Sequence, residues 1–313
     1  MKILLTGGAG FIGSNLADQL LKLDYEIVCV DNFDNFYSRE IKESNLANAK
    51  LNPKFEFKEG DVRDEVFVSK LFTDSKFDLV IHLAAKAGVR PSITDPVSCY
   101  EVNVNGTLNI LEAMRRSGVK KMVFASSSSI YGNNENVPFI ETDNVDNPIS
   151  PYAASKRAGE LLCHAYHHLH GFDIFCFRFF TVYGPRQRPD LAIHKFASLI
   201  LKDLPIQMYG DGSTSRDYTY IDDITVGMIN AISCLNGYEI INLGESKTIS
   251  LSEMINILEK KLNKKAIIET LPFQQGDVEK TYADISKAKK IINYNPKWNF
   301  SDGLSEFLKW KKG

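Results

Sequence analysis

Short apolar runs alternate along this chain with longer stretches in which apolar residues recur every three or four positions. KILLT (2–6), EIVCV (26–30), FEFKE (55–59), DLVIHL (78–83), KMVFAS (121–126) and DIFCFRF (173–179) read as strands. FIGSNLADQLLKL (11–23) and EVNVNGTLNILEAMRRS (101–117) read as helices with Leu, Ile or Met along one face. Alternating strand and helix predict an α/β fold, a doubly wound parallel sheet, because strands this apolar must be buried on both faces. After about residue 180 the rhythm breaks at Pro185, Pro189, Pro205 and the turn GDGS (210–213), and a smaller region begins. Within it TVGMINAISCL (225–235) and YEIINLG (238–244) are apolar enough to return to the first sheet. The predicted organisation is a first domain over 1–178, rejoined by about 221–244, interlocked with a smaller one over 179–313.

TGGAGFIG (6–13) follows the first strand and opens the first helix. Gly8, Gly10 and Gly13 satisfy G-x-G-x-x-G, and Gly7 extends the pattern, so the backbone can turn tightly and offer helix N-terminal N–H groups to a pyrophosphate. Asp31 closes the second strand where a carboxylate can accept from an adenosine ribose, and Asn32 follows it. Asp31 would repel a 2′-phosphate, and NFDN (32–35) supplies no Arg, which favours NAD over NADP. Asp61 in GDVRD (60–64) stands ready either for the adenine or to cap the following helix. These features define a Rossmann-type dinucleotide site.

A second group of residues carries chemistry. FASSSSIYG (124–132) ends a strand in four hydroxyls, and SPYAASK (150–156) opens a helix with Tyr152 and Lys156 on one face. A phenol with an ordinary pKa of about 10 is a poor base at neutral pH, but a nearby ammonium and an oxidised nicotinamide favour its phenolate. Ser127 can align a substrate hydroxyl beside it. Y-x-x-x-K alone also fits a plain surface pair.

Taken together and in order, TGGAGFIG, HLAAKAGVR (82–90), NVNGT (103–107), SSSSIYG, YAASK, RFFTVYGPR (178–186), SRDYTYIDD (215–223) and GDVEKTYADISKAKK (276–290) resemble the extended short-chain dehydrogenases/reductases, within their nucleotide-sugar epimerase and dehydratase group. The resemblance covers nearly the whole chain. It implies tightly held NAD on Gly7, Gly10, Phe11, Ile12, Gly13, Asp31, Asn32, Asp61, Val62, Leu83, Ala84, Ala85, Lys86, Tyr152 and Lys156. It implies a catalytic triad of Ser127, Tyr152 and Lys156. It also places UDP on Gln207, Tyr209, Arg216 and Asp277, with Arg90 on the substrate side. The sequence departs from the hexose epimerases at Gln274, where many carry an Arg for the diphosphate.

The dehydratases and decarboxylases of the group place an acid two residues before the YG of the serine-rich motif, whereas this chain has Ser129, preceded by Ser128. Without that acid, proton removal at C5 loses its partner, while epimerisation at C4 needs none. Thr181 stands where glucose and N-acetylglucosamine epimerases commonly have Asn, and R-P-D (188–190) with AGVR (87–90) resembles the UDP-glucuronate 4-epimerase subgroup. A guanidinium fork matches a carboxylate, the group that distinguishes glucuronate from glucose. Arg188 with Thr181, Ser128 and Ser129 is therefore expected to hold a C6 carboxylate. The alternative is that Arg186 and Arg188 bind phosphate or pair with Asp190.

Composition narrows the rest. Lys plus Arg total 37 against 39 Asp plus Glu, a net charge of -2 with no basic block, which argues against nucleic acid. No run reaches the roughly 18 apolar residues of a membrane span, MKILLTGG is too short for a signal peptide, and the five cysteines lack C-x-x-C spacing. A cytoplasmic protein without membrane contact is expected. His164 and His168 have metal-pair spacing but no following Glu, so no metal is expected, and Asp222 and Asp223 are read as caps of the next helix. The stripe Ala158, Leu161, Leu162, Ala165 and Leu169, with the helix over about 95–117, suits a homodimer contact. Rival readings are a UDP-glucose or UDP-N-acetylglucosamine 4-epimerase, a UDP-glucuronate decarboxylase, an oxidoreductase that releases NADH, and a non-catalytic NAD-binding regulator.

Overall fold

The apolar runs become the strands of one twisted parallel sheet in a computed structural model, which describes residues 1–272 and 278–312. The strands are β1 (Lys2–Thr6), β2 (Glu26–Asp31), β3 (Phe55–Glu59), β4 (Leu79–His82), β5 (Lys121–Ser127), β6 (Asp173–Phe179) and β7 (Tyr238–Leu243). Their order is β7-β6-β5-β4-β1-β2-β3, every pair parallel. The last strand comes from the region after residue 180, as its apolar sequence predicts. Four helices matter most: α1 (Phe11–Lys22), α2 (Gly106–Ser117), α3 (Pro151–His170) and α4 (Ile221–Cys234). The chain builds outward from β1 to β3, then crosses back to place β4 on the other side of β1. Crossovers therefore diverge at β1 and β4, and a crevice opens at the carboxyl ends of the strands there.

The helix predicted over 101–117 is longer and irregular. Pro96–Tyr100, a π-helical turn at Glu101–Asn105 and α2 run end to end. Asn103 lies inside the π turn and uses its amide on the loop after β4, donating to the Lys86 carbonyl at 3.1 Å and accepting from its N–H at 2.8 Å. The wide turn thus coincides with the point where the helix is fastened to the crevice. Asp222 and Asp223 are not the caps the sequence suggested. Residue 220 caps α4 without a side-chain bond, and Asp223, inside the first turn, accepts instead from the backbone of Lys297 at 2.9 Å and Trp298 at 3.1 Å. It ties α4 to the C-terminal segment. The capping role left open for Asp61 falls to Asp64, which accepts from Phe67 N at 3.0 Å.

Helix α3 is set on the sheet by charge as well as packing. Arg178 on β6 is 1% exposed and forks onto Glu160, itself fully buried, through two N–H···O bonds of 2.9 Å. Ser126 on β5 donates to the same carboxylate at 2.6 Å. Arg178 also donates to the Tyr131 hydroxyl at 3.0 Å, and Tyr131 donates to Asn242 of β7 at 2.6 Å. Removing one charge would leave the other stranded in an apolar interior. The substitution Glu160→Gln is expected to lower the free energy of unfolding by about 3–5 kcal/mol, read from denaturant melts followed by circular dichroism.

Candidate active site

Glycines make the floor of the crevice. Gly7 has φ +70°, and its N–H donates to Val30 O at 2.8 Å, turning the chain from β1 toward α1. A Cβ at Gly7 would stand 2.6 Å from Ala84 N, and one at Gly13 would stand 2.5 Å from Gly7 O. The turn closes only with bare backbone, which leaves room beside the start of α1 for a group of phosphate size.

Asp31 ends β2 and accepts from Ala9 N at 3.1 Å and Phe33 N at 2.9 Å. Burial raises its pKa, opposed by the nearby Lys42 ammonium and those N–H groups. Lys42 donates to Asp34 O and lies 4.7 Å from the Tyr37 ring centre. Asn32 and Arg63 both donate to one Asp61 oxygen at 2.8 Å, and Arg63 Nε donates to the other at 3.1 Å. Partial burial works against the Asp61 charge, yet hydrogen bonds from Arg63 and Asn32 bring its pKa down to about 2.

At the other end of the crevice Ser150 caps α3 by accepting from Ala153 N at 3.1 Å, and Pro151 occupies the first turn. That start aims Tyr152 and Lys156 at the carboxyl end of β5. Tyr152 N donates to the buried Ser92 hydroxyl at 3.0 Å, which fixes the first turn further. Burial raises the phenol pKa, while a hydrogen bond with Ser127 and the charge of Arg188 act to lower it. The Lys156 amine is 4% exposed, donates to Ala125 O at 2.6 Å and lies 6.0 Å from the Tyr152 ring centre. Loss of water brings its pKa down to about 8. Ser127 accepts from Ser129 N at 3.2 Å, which folds the serine run into a 3-10 turn, and the buried Ser129 hydroxyl has no hydrogen-bond partner among the described residues.

These groups line one cavity of about 840 Å³. It brings together every residue expected to hold the cofactor, the trio Ser127, Tyr152 and Lys156, and Ser128, Ser129, Thr181, Arg188 and Arg216. Arg188 forks onto Asp190 at 3.0 and 2.8 Å and lies 5.1 Å from the Phe36 ring centre, so the pairing named as its alternative is present. Four expected residues lie outside the lining. Arg186, at φ +67°, turns away and donates to Asp18 on α1 at 2.7 Å. Gln207 is exposed, and Arg90 lies over the Tyr209 ring at 5.3 Å. Gln274 and Asp277 fall outside the described residues. Sequence reasoning missed Lys42, Phe36, Ser92 and Thr281, all on the wall. NVNGT carried a signal for Asn103, but none of the other four stands in a motif that marks it for the cavity.

A parallel sheet with a glycine turn at β1, an acid at the end of β2 and a Ser, Tyr and Lys set at β5 and α3 defines a dinucleotide-dependent enzyme acting on a hydroxyl or carbonyl. Comparison with known proteins gives the family. The profile described as GDP-mannose 4,6 dehydratase matches residues 4–307, and the chain belongs to that family, among the nucleotide-sugar epimerases of the extended short-chain dehydrogenases/reductases. It is 46% identical to a UDP-glucuronate 4-epimerase of Thermodesulfobacterium geofontis over 310 residues, 99% of this chain and 95% of that one. A crystal structure of UDP-glucuronic acid 4-epimerase from Bacillus cereus in complex with UDP-glucuronic acid and NAD superposes with TM-score 0.94 at 39% identity, covering 100% of this chain and 99% of the other. A UDP-N-acetylglucosamine 4-epimerase from Methanobrevibacter ruminantium, in complex with UDP-N-acetylmuramic acid, gives 0.91 at 31%, covering 99% and 98%.

The glycine floor leads to a direct test. Gly13→Ala must push the turn open by the overlap with Gly7 O, so NAD affinity measured by calorimetry is expected to fall at least about tenfold, with tenfold corresponding to about 1.4 kcal/mol. Unchanged affinity would remove the turn from the cofactor site.

Proposed function

We propose that the protein interconverts UDP-glucuronate and UDP-galacturonate by NAD-dependent epimerisation at C4. The broader activity, C4 epimerisation of a UDP-sugar with NAD, makes it an isomerase. The observation that carries the choice of sugar is the serine turn beside Tyr152: Ser128, Ser129 and Thr181 line the cavity there, the Ser129 hydroxyl has no partner among the described residues, and Arg188 lies on the same wall. Hydroxyls and a guanidinium suit a carboxylate. A residue able to take the C5 proton is absent from that turn.

The cavity residues fit NAD by the bare glycine turn and the half-buried Asp31, whose carboxylate suits ribose hydroxyls. Held there, NAD would supply reversible hydride acceptance at C4 with no net consumption of cofactor. In the free protein burial keeps Tyr152 protonated. The Lys156 ammonium, with the positive charge of the cofactor ring, favours the phenolate that accepts the C4 hydroxyl proton, and Ser127 holds the same oxygen. Between the two steps the 4-keto sugar must present its other face. Small hydroxyls at 127–129 and 181 hold it without enclosing it.

We read residues 1–178, with about 221–244, as the cofactor domain and the remainder as the sugar domain. Exposed Val97, Tyr100, Leu108, Leu161 and Leu169 on the 96–117 helix and α3 support a homodimer face. The five cysteines are free thiols, four of them buried, which supports a reducing compartment such as the cytoplasm. A second reading, a neutral UDP-hexose epimerase, is favoured by one observation: Arg188 already has a carboxylate in Asp190. Comparing kcat/KM for UDP-glucuronate, UDP-glucose and UDP-N-acetylglucosamine separates them, and preference for a neutral sugar would overturn the first.

Tyr152→Phe is expected to retain fold and bound NAD while losing about 10² to 10⁴ in kcat. Lys156→Met is expected to move the remaining activity to higher pH, because the phenol loses its cationic neighbour. Arg188 guards against a hazard of this substrate. Once C4 is a ketone, the C6 carboxylate belongs to a β-keto acid and leaves as carbon dioxide if its bond to C5 stands perpendicular to the carbonyl plane. Arg188→Ala is expected to weaken UDP-glucuronate binding by about 1.5 kcal/mol, the low end for charged hydrogen bonds since Asp190 must first be released, and UDP-glucose binding much less. Mass spectrometry should then detect a decarboxylated 4-keto pentose nucleotide. Equal losses for both sugars and no pentose would move Arg188 to the phosphates.

A further inference from the structure

Behind the cavity wall, out of contact with solvent, sits a carboxylate with four donors. Asp217 is 0% exposed. One oxygen accepts from Glu245 N at 2.7 Å and the Thr219 hydroxyl at 3.1 Å, and the other from Ser246 N at 3.0 Å and Ala283 N at 3.1 Å. The backbone of the same residue is equally engaged. Its N–H donates to the Thr281 hydroxyl at 3.2 Å, and its carbonyl accepts from Thr181 N at 3.0 Å. Three segments therefore meet at one side chain: the chain leaving β7, the strand Tyr218–Tyr220 and the stretch around 281–283. Arg216 next to it, Thr281 and Thr181 all line the cavity.

We infer that Asp217 is a positioning residue for the nucleotide-sugar half of the cavity: its carboxylate clamps Arg216, Thr181 and Thr281 to the end of the central sheet. It touches neither Tyr152 nor the glycine turn, so the chemistry and the cofactor do not depend on it directly. The clamp requires an acceptor on both oxygens. Asp217→Asn keeps the shape but turns one oxygen into an NH₂, and whichever oxygen is replaced, two donors lose their partner. The wall they hold loosens, and binding falls equally in ground and transition states, a loss seen in KM and not in kcat.

The inference rests on reading this half of the cavity as the UDP-sugar site, so the probe is UDP itself, titrated calorimetrically, beside steady-state turnover and bound-NAD content. Asp217→Asn is expected to raise the Kd for UDP and the KM for the sugar nucleotide at least about fivefold, as for one lost hydrogen bond, with kcat within about twofold and NAD content unchanged. Thr219→Val, which removes one of the four donors and is not in the lining of this cavity, is expected to raise both about twofold to fivefold. If Asp217→Asn does not fold, Thr219→Val decides alone. Variants with wild-type UDP affinity and KM that merely melt earlier, or that lose kcat at constant KM, would overturn the clamp. A wild-type protein that binds no UDP overturns the reading of the cavity and the clamp with it, whereas wild-type binding that the variants share overturns the clamp alone.

Discussion

The buried fork between Arg178 and Glu160 is the constraint on which the arrangement of the site depends. Tyr152, Lys156 and Glu160 succeed one another at four-residue intervals along α3, so whatever fixes Glu160 fixes the rotation and depth of the other two. Glu160 is held by Arg178 from β6 and Ser126 from β5, and Arg178 passes the constraint through Tyr131 to Asn242 on β7. A helix packed only by apolar contact could slide by fractions of an ångström. Charges taken out of water accept one geometry, because a mispaired fork leaves desolvation uncompensated. The Lys156 amine then reaches the Ala125 carbonyl near the end of β5 at 2.6 Å.

Burial does two opposed things in this crevice. It raises the Tyr152 phenol, so in the free protein that group stays protonated at neutral pH, and it lowers the Lys156 amine to about 8, where most of it still carries its charge. The same exclusion of water strengthens the field of any cation placed beside the phenol. A Tyr and Lys pair of this kind is therefore weak alone and effective only with a positively charged neighbour, which links readiness for chemistry to occupancy of the glycine floor.

Legibility in the sequence followed distance along the chain. The seven strands, the glycine turn, Asp31 and the Tyr152–Lys156 face were readable because period, turn chemistry and helical spacing act within a few residues. The π turn at 101–105 was not, since the bonds that accompany it run from the Asn103 side chain to the Lys86 backbone across the crevice. Asp223 looked like a cap because acids at helix starts usually are, but two backbone amides seventy residues away took it. Ser92 and Thr281 reach the wall only through long-range packing. Arg186 and Arg188 show the limit most sharply. They sit two apart in a loop, and the positive φ at Arg186 sends it to Asp18 on α1 while Arg188 stays on the cavity wall.

The Arg188–Asp190 fork bears on how a uronic acid would be recognised. A C6 carboxylate offers Arg188 the same two oxygens that Asp190 already gives it, so exchanging one for the other changes the Coulomb energy little. On the proposed reading, net affinity would come mainly from the hydroxyls at 128, 129 and 181 and from the nucleotide, while the guanidinium would contribute orientation. That division suits an epimerase. The sugar has to be released, turned and caught again with its carboxylate in a controlled plane, and a cation with a standby partner can let go without being left as an isolated charge on the wall.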